Sequence, residues 1–201
     1  MRLPSRLALV ALAAVLATLA AYWLDPWVFR TVRYPAVDSH DWGRLLRVVG
    51  SLVFWLPLAL GLWLEARVRD PDRGRSAWLV LVGPALAGAV AELLKLVVRR
   101  ERPALHGGEY FYRAFADRPF DTHDLGFPSS HVMVAFGGAA VLARLYPGAG
   151  PVLYLLALGC AVTRLLAQGH FLSDVVVAAL AGWAIGMWIA GRRLPSPSGT
   201  I

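Results

Sequence analysis

The chain has 201 residues, a length that suits one domain; 58% of them are hydrophobic and 16% are charged. A typical soluble domain is less apolar and more highly charged, so this composition excludes an ordinary water-soluble protein. The formal net charge is +7. No nucleic-acid-binding motif accompanies that charge, and basic residues beside apolar segments are usual in proteins that contact anionic lipids. We therefore expect membrane lipids, and no nucleic acid, as partners.

Six apolar segments are long enough to cross a membrane as helices, because a spanning helix needs about 20 mostly apolar residues. They cover residues 6–24, 45–64, 77–98, 129–146, 151–166 and 171–190. The sequence thus predicts an all-α fold, a six-transmembrane-helix bundle, with residues 1–201 as a single domain. The first segment is longer than the apolar core of a signal peptide and no clear A-x-A cleavage site follows it, so we expect it to remain as a span.

The distribution of basic residues predicts the orientation of this bundle. With six spans, the termini and the loops near 65–75 and 144–150 share one side, which holds nine basic residues and three acidic ones. The basic residues are Arg2, Arg6, Arg67, Arg69, Arg73, Arg75, Arg144, Arg192 and Arg193, and the acidic residues are Glu65, Asp70 and Asp72. Basic residues favour the cytoplasmic side. We therefore expect the termini in the cytoplasm and the 99–128 loop outside.

Polar side chains gather at the ends of the predicted spans. Such residues are costly inside a membrane and are candidates for function. They are Lys95 and Arg102 at the end of the third span, Ser129, Ser130 and His131 at the start of the fourth, Arg164 near the end of the fifth, and His170 and Asp174 at the start of the sixth. An even topology puts these four helix ends at one membrane face. The sequence therefore predicts one active site at the helix ends.

The cationic members of this group favour a phosphate ligand. Lys95, Arg102 and Arg164 would repel one another unless an anion lay between them. Arginine presents a planar pair of donors that matches phosphate oxygens. Ser129 and Ser130 begin a helix, where free backbone N–H groups and the helix dipole also favour an anion. We therefore expect these five residues to bind phosphate.

The two histidines predict the chemistry. His170 and Asp174 are four positions apart and lie on one helix face. We expect Asp174 to accept a hydrogen bond from one imidazole nitrogen, leaving the other nitrogen free to attack phosphorus, as in a catalytic triad. His131, on another helix, can give a proton to the leaving oxygen and later accept one from water. This assignment predicts a phosphohistidine intermediate on His170.

The same residues form three ordered motifs. Residues 95–103, KLVVRRERP, have the form K-x6-R-P; residues 128–131, PSSH, resemble P-S-G-H; and residues 163–174, TRLLAQGHFLSD, resemble S-R-x5-H-x3-D. Together they resemble the type 2 phosphatidic acid phosphatase (PAP2) superfamily, and in particular its membrane lipid phosphatase branch. Each motif alone would be weak, but all three occur in order and at the expected spacing.

The resemblance implies a role for each matching residue. It implies that phosphate is held by Lys95, Arg102, Arg164 and Ser129, that His131 is the acid, that His170 is the nucleophile and that Asp174 orients it. Two positions differ from the family pattern. Ser130 stands where the family has glycine, and it keeps the backbone N–H that helps to bind the oxyanion but adds bulk. Thr163 stands where the family has serine and keeps a hydroxyl.

The resemblance implies a metal-independent lipid phosphatase, a phosphoric monoester or diphosphate hydrolase with no cofactor. The implied substrates are lipids such as undecaprenyl diphosphate, phosphatidylglycerol phosphate, phosphatidic acid and lipid A 1-phosphate. Chain size and resemblance favour a bacterial inner membrane, with the site facing the periplasm or exterior. Two alternatives stay open. One is a vanadate-dependent haloperoxidase-like enzyme, although those relatives are soluble; the other is a non-catalytic membrane protein or carrier that only binds lipid phosphate.

Three further charged residues near the motifs receive less specific predictions. Glu92, three positions before Lys95, is expected to pair with Lys95 or Arg164 in a structural role. Arg99 and Arg100 are expected either to attract anions or to mark the membrane interface. The single cysteine, Cys160, lies in an apolar run and is expected to be a packing residue, and no Cys/His cluster has zinc-ligand spacing.

Overall fold

The computed structural model describes residues 6–69 and 77–192. Seven α-helices occur in these ranges, and the same residues contain isolated β-bridges but no strand. The helices are α1 (Arg6–Thr31), α2 (Asp41–Val48), α3 (Leu52–Arg69), α4 (Leu79–Val98), α5 (Ser130–Leu145), α6 (Gly150–Leu166) and α7 (Leu172–Gly191). The predicted all-α class is confirmed. Several residues used to predict the orientation lie outside the described residues, namely Arg2, Asp70, Asp72, Arg73, Arg75 and Arg193.

The apolar helices indicate a multi-pass membrane protein. Four segments are long and apolar enough to cross a bilayer, at Ala8–Thr31, Leu79–Val98, Pro147–Leu166 and Leu172–Gly191. Helices α2 and α3 meet the same criteria only as a pair, and α5 is apolar but has 16 residues. By length and composition the described residues therefore supply four spans, or up to five if the pair is counted as one. The number six stays a prediction.

The predicted span at residues 45–64 is not one straight helix. The chain breaks between α2 and α3, which are bent by 64° relative to each other. Gly50 lies at this break, where a Cβ atom would come within 2.6 Å of the His131 carbonyl oxygen and 2.9 Å of the Cys160 sulfur. The backbone therefore passes directly against α5 and α6, and α2, with Arg44 and Arg47 exposed, turns away from the axis of α3.

Helix α5 lies at the centre of the bundle, packed against α4, α6 and most extensively α7. Small residues permit this close packing, as is common between helices in membranes. A Cβ atom added to Gly182 of α7 would lie 2.4 Å from the Met133 carbonyl oxygen of α5. The approach also joins the starts of the two helices, because the Ser129 backbone N–H donates to the Asp174 carbonyl at 3.3 Å.

Candidate active site

The predicted site residues lie at the same end of the helices. Lys95 is in the last turn of α4, Arg102 follows in the loop, Ser129 is the N-cap of α5, Ser130 and His131 begin α5, Arg164 is in the last turn of α6, His170 is in the α6–α7 loop, and Asp174 is in the first turn of α7. All of them are buried or partly buried. That they form one site, and the catalytic role of each, stay proposals.

The His170 ring is held by a backbone carbonyl rather than by Asp174. Its Nδ1 lies 2.8 Å from the Gly126 oxygen and 3.8 Å from the nearest Asp174 oxygen, beyond hydrogen-bonding distance. The predicted hydrogen bond between Asp174 and the ring is therefore absent. Because a carbonyl can only accept, Nδ1 carries the proton and Nε2 keeps its lone pair.

Asp174 is occupied by other donors, which explains its separation from the ring. One carboxylate oxygen accepts the backbone N–H of Phe171 at 2.7 Å, which caps the start of α7. The other forms an ion pair with Arg100. Arg100 also donates to the Ser173 hydroxyl at 2.8 Å. Both members of the ion pair are almost completely buried, so each compensates for the desolvation of the other.

A second buried carboxylate, Asp25 of α1, joins this network. It accepts the backbone N–H of Ser173 at 2.8 Å, the Ser173 hydroxyl, and the Tyr110 hydroxyl at 2.9 Å. Burial and this contact with Asp25 raise the pKa of the Tyr110 phenol, which keeps it a donor. Asp25 thereby ties α1 to the start of α7. Sequence reasoning missed it because the first span was ended at Leu24, although an acid within the run AYWLDPWVF was itself a signal.

Two buried donor atoms of the predicted phosphate-binding group have no hydrogen-bond partner in the part of the chain that the structure describes. Across residues 6–69 and 77–192, Ser129 Oγ and Arg102 Nε make no hydrogen bond. A buried, unsatisfied polar group costs free energy, and phosphate oxygens would supply acceptors for both. The third such atom is Arg100 Nε, which belongs to a guanidinium packed among the rings of Tyr110, Phe127 and Phe171.

The other two cations of the group have carboxylate partners. Lys95 Nζ donates to Glu92 at 2.9 Å, and an Arg164 Nη atom donates to Asp38 at 2.8 Å. The prediction that Glu92 pairs with Lys95 or Arg164 is thus confirmed for Lys95. Both cations are held in place by these pairs while keeping further N–H groups for an anion.

Electrostatics keep the His170 imidazole neutral. Burial, followed by the positive charges of Arg102 and Lys95, lowers the pKa of His170 well below its ordinary value. A neutral ring is required of a nucleophile, since the protonated ring has no lone pair.

The sequence matches the PAP2 superfamily over residues 76–193, more than half of the chain. The chain belongs to the PAP2 superfamily. Lipid A 1-phosphatase of Rhizobium johnstonii is 33% identical over 106 residues, 52% of this chain and 41% of that protein. Decaprenylphosphoryl-5-phosphoribose phosphatase of Mycobacterium tuberculosis is 33% identical over 133 residues, 66% of this chain and 67% of that protein. No solved structure matches.

These relatives differ in how much of their length the present chain covers. It spans about two fifths of the Rhizobium johnstonii protein and 43% of lipid A 1-phosphatase from Rhizobium etli, which is 32% identical over 108 residues. It spans about two thirds of the Mycobacterium tuberculosis protein. All three matches exceed 100 residues.

The two departures from the PAP2 motifs have defined contacts. The Ser130 hydroxyl donates to Glu92 at 2.5 Å, on the same oxygen that accepts Lys95. This hydroxyl is therefore directed to Glu92. Thr163 donates to the Cys160 carbonyl at 2.7 Å and accepts from Arg164 Nε at 3.3 Å. Thr163 therefore supports the position of Arg164.

Arg99 shapes the 99–128 loop of this PAP2 protein. It is buried, adopts a left-handed conformation with φ of 57°, and donates to backbone carbonyl groups. Its acceptors are the carbonyl oxygens of Arg113, Ala114, Asp117, Arg118 and Pro119. With these contacts for Arg99 and the Asp174 ion pair for Arg100, both arginines have structural partners. Sequence reasoning, which expected them to attract anions or to mark the membrane interface, did not predict these contacts.

An open cavity lies beside His131. It has a volume of about 270 Å³ and is lined by Arg44, Arg47, Val48, Ser51 and His131. The general acid predicted for the PAP2 chemistry thus faces the amphipathic helix α2. Among residues 6–69 and 77–192, no group of three or more His, Cys, Asp or Glu side chains is arranged to hold a metal ion.

Proposed function

We propose that the protein is a membrane phosphatase that hydrolyses a lipid phosphate or diphosphate through a phosphohistidine on His170. One observation carries this proposal: the Gly126 carbonyl fixes the proton on Nδ1 of a buried, neutral imidazole, so that Nε2 is the free nucleophilic atom. The surrounding cations, Lys95, Arg102 and Arg164, provide the charge that attracts the phosphate and stabilises the transition state.

In the first step, Nε2 of His170 attacks phosphorus. The bond between phosphorus and the leaving oxygen breaks, and His131, which carries a proton in the complex with the anionic phosphate, gives that proton to the leaving oxygen. The non-bridging oxygens are held by Lys95, Arg102, Arg164, the Ser129 hydroxyl and the Ser130 backbone N–H. Asp174, 3.8 Å from Nδ1, places a negative charge beside the ring as the ring becomes cationic.

In the second step, water displaces His170 from phosphorus. His131, now neutral, accepts a proton from water while the water oxygen attacks phosphorus. The phosphorus–nitrogen bond breaks, its electron pair returns to Nε2 of His170, and phosphate is released. His131 ends the cycle protonated and both histidines regain their starting states. Because protein cations supply the positive charge throughout, we propose that the reaction proceeds without a metal ion.

The substrate is proposed to be a lipid because the site lies at the ends of apolar helices and because the matched relatives are named for lipid phosphates. Undecaprenyl diphosphate, phosphatidylglycerol phosphate, phosphatidic acid and lipid A 1-phosphate are the candidates. A headgroup at the helix ends and acyl or prenyl chains in the bilayer would each lie in a suitable solvent. We propose six spans in a bacterial plasma membrane, with cytoplasmic termini and the site on the outer face.

Phosphate release by the purified full-length protein in detergent tests the proposal. With excess EDTA present, the wild type should release phosphate from at least one of the candidate lipids, and His170→Ala should reduce turnover by about 10³-fold or more. His123→Ala is the matched control, because the His123 side chain is 76% exposed in the loop. It should keep wild-type turnover.

Several outcomes would contradict the proposal. Near-wild-type turnover in His170→Ala would remove the nucleophile, and loss of activity in EDTA that Mg²⁺ restores would contradict metal independence. Binding of lipid phosphate with no release by the wild type would favour a carrier. Bromide oxidation with vanadate, again without phosphate release, would favour a haloperoxidase.

A further inference from the structure

The cavity beside His131 is positively charged. Two of its five lining residues are the arginines Arg44 and Arg47 of α2, and Ser51 and His131 also line it. The side chains of Arg44 and Arg47 are 59% and 46% exposed, so both can be reached from the open side of the cavity. A polar ligand entering here would meet two guanidinium groups beside the proposed general acid.

Asp38 connects this cavity to the proposed phosphate site. One of its oxygens accepts Arg164 at 2.8 Å and the other accepts Arg47 at 3.3 Å. Arg47 is therefore the neighbour of a phosphate-binding arginine through one shared carboxylate. A single carboxylate between two guanidinium groups leaves one positive charge uncompensated. Among residues 6–69 and 77–192, Arg44 pairs only with Asp41, whose side chain is 97% exposed, and solvent weakens such a pair.

The proposed role of His131 places the cavity on the leaving-group side of the reacting phosphorus. If His131 protonates the leaving oxygen, a cavity that His131 lines receives the leaving group. A leaving group that is a neutral alcohol carries no negative charge to pair with two arginines. A leaving group that carries a phosphate matches them, because a guanidinium binds phosphate oxygens with two parallel hydrogen bonds.

The same helix offers a path for the lipid chain. Trp42 and Leu45 are 46% and 61% exposed on α2 and flank Arg44 in sequence. Apolar side chains beside cationic ones are typical of a helix that lies in the membrane interface. A prenyl or acyl chain attached to the leaving phosphate can therefore leave the cavity along an apolar surface.

We infer that Arg44 and Arg47 bind a second phosphate on the leaving-group side of the scissile bond, which makes a lipid diphosphate the preferred substrate. This inference rests on the proposed function. The terminal phosphoryl group passes to Nε2 of His170, the bond from its phosphorus to the bridging oxygen breaks, and a lipid monophosphate departs with the proton of His131. The departing phosphate stays paired with the two arginines until the lipid diffuses away.

A comparison of two substrates that share one prenyl chain but differ in their number of phosphates tests this inference. The full-length protein in detergent is assayed with farnesyl diphosphate and with farnesyl monophosphate. A diphosphate has intrinsically the better leaving group, so the decisive quantity is the ratio of the two kcat/KM values in a variant relative to that ratio in the wild type. Arg47→Gln should lower the ratio about tenfold or more, the effect of losing one charge-assisted hydrogen-bonded contact.

Two controls separate binding from structural damage. Arg33→Gln removes an exposed arginine that does not line the cavity and should leave the ratio unchanged. If Arg47→Gln acts only by disturbing Asp38 and Arg164, kcat/KM should fall equally for both substrates, and an unchanged ratio overturns the inference. An unchanged ratio in the double variant Arg44→Gln/Arg47→Gln overturns it as well. Absence of phosphate release from both substrates by the wild type would overturn the proposed function, and this inference with it.

Discussion

Two adjacent serines at the start of α5 have opposite environments. The Ser129 hydroxyl is buried and makes no hydrogen bond within the described part of the chain, whereas the Ser130 hydroxyl donates to Glu92 at 2.5 Å. A donor without a protein partner is suited to a ligand, and a donor with a partner is suited to holding structure. The two residues therefore allow ligand binding and local stability to be measured separately.

We predict different effects for the two alanine substitutions. Ser129→Ala should lower kcat/KM about tenfold or more, because a hydrogen bond to an anionic ligand is lost, with no loss of stability. Ser130→Ala should keep kcat/KM within about threefold and lower the free energy of unfolding by about 1 kcal/mol. Kinetics with a lipid phosphate and thermal unfolding in detergent measure both quantities. The reverse pattern would assign phosphate binding to the Ser130 hydroxyl.

Sequence reasoning at the residue scale found the ionisable groups that gather at one end of the helices but not all of their partners. Lys95, His131 and His170 were identified because ionisable residues at span ends stand out against an apolar background. The partner of Asp174 was not identified, since Arg100 lies 74 positions earlier and only the fold brings them together. The contact with the Gly126 carbonyl could not be predicted from the sequence either, because every residue has a backbone carbonyl and side-chain identity does not mark the one that accepts.

At the scale of helices, the contact between α5 and α7 positions the two histidines. His131 is the second residue of α5 and His170 lies two residues before α7, so the spacing between these helices sets the distance between the proposed acid and the proposed nucleophile. Gly182 lies at this contact, where a Cβ atom would be 2.4 Å from a backbone oxygen of Met133. Backbone cannot rotate away as a side chain can, so even a methyl group forces the helices apart.

We therefore predict that Gly182→Ala destabilises the protein by about 1–3 kcal/mol, the usual cost of overpacking a close contact. It should also reduce kcat, because the two histidines are displaced relative to each other. The matched control is Gly61→Ala on α3, where a Cβ atom meets nothing within 4 Å. That variant should be as stable as the wild type or slightly more stable, since alanine favours helix over glycine. Equal effects at both positions would contradict the close-packing argument.

The break between α2 and α3 was not predictable for a related reason. The sequence from Leu45 onward is apolar enough to read as one span, and hydropathy does not register what packs beside it. Gly50 ends the helix where the chain meets His131 and Cys160, residues that are more than 80 positions away. Conversely, the boundaries of α4 and α7 were predicted closely, because apolar composition and length alone define a helix across lipid.

For the molecule as a whole, contacts between the ends of different helices support the proposed six passages through the membrane. Four contacts join the end of α1 and the following turn to the site: Tyr34 N–H donates to the Leu166 carbonyl, Gln168 to the Phe29 carbonyl, Tyr110 to Asp25, and Arg164 to Asp38. The end of α1, the end of α6 and the start of α7 therefore lie at one end of the bundle. The loop between α5 and α6 lies at the other end, so α5, α6 and α7 alternate in direction.

Labelling with a membrane-impermeant thiol reagent tests this arrangement in intact cells. The native Cys160 is buried, so the wild type should remain unlabelled and serve as the background. Phe120→Cys places a thiol at a side chain that is 87% exposed in the 99–128 loop. Gly148→Cys places one in the α5–α6 loop, where a Cβ atom meets nothing within 4 Å.

If the bundle has six passages and cytoplasmic termini, Phe120→Cys should be labelled in intact cells and Gly148→Cys only after lysis, because the two loops lie on opposite sides of the membrane. The opposite result would keep the alternation but invert the orientation, which would put the proposed phosphatase site on the cytoplasmic face. Labelling of both positions from outside would mean that α5 does not cross. Its 16 residues extend only about 24 Å, somewhat less than the hydrocarbon core. A crossing α5 must therefore have at least one end below the headgroup layer.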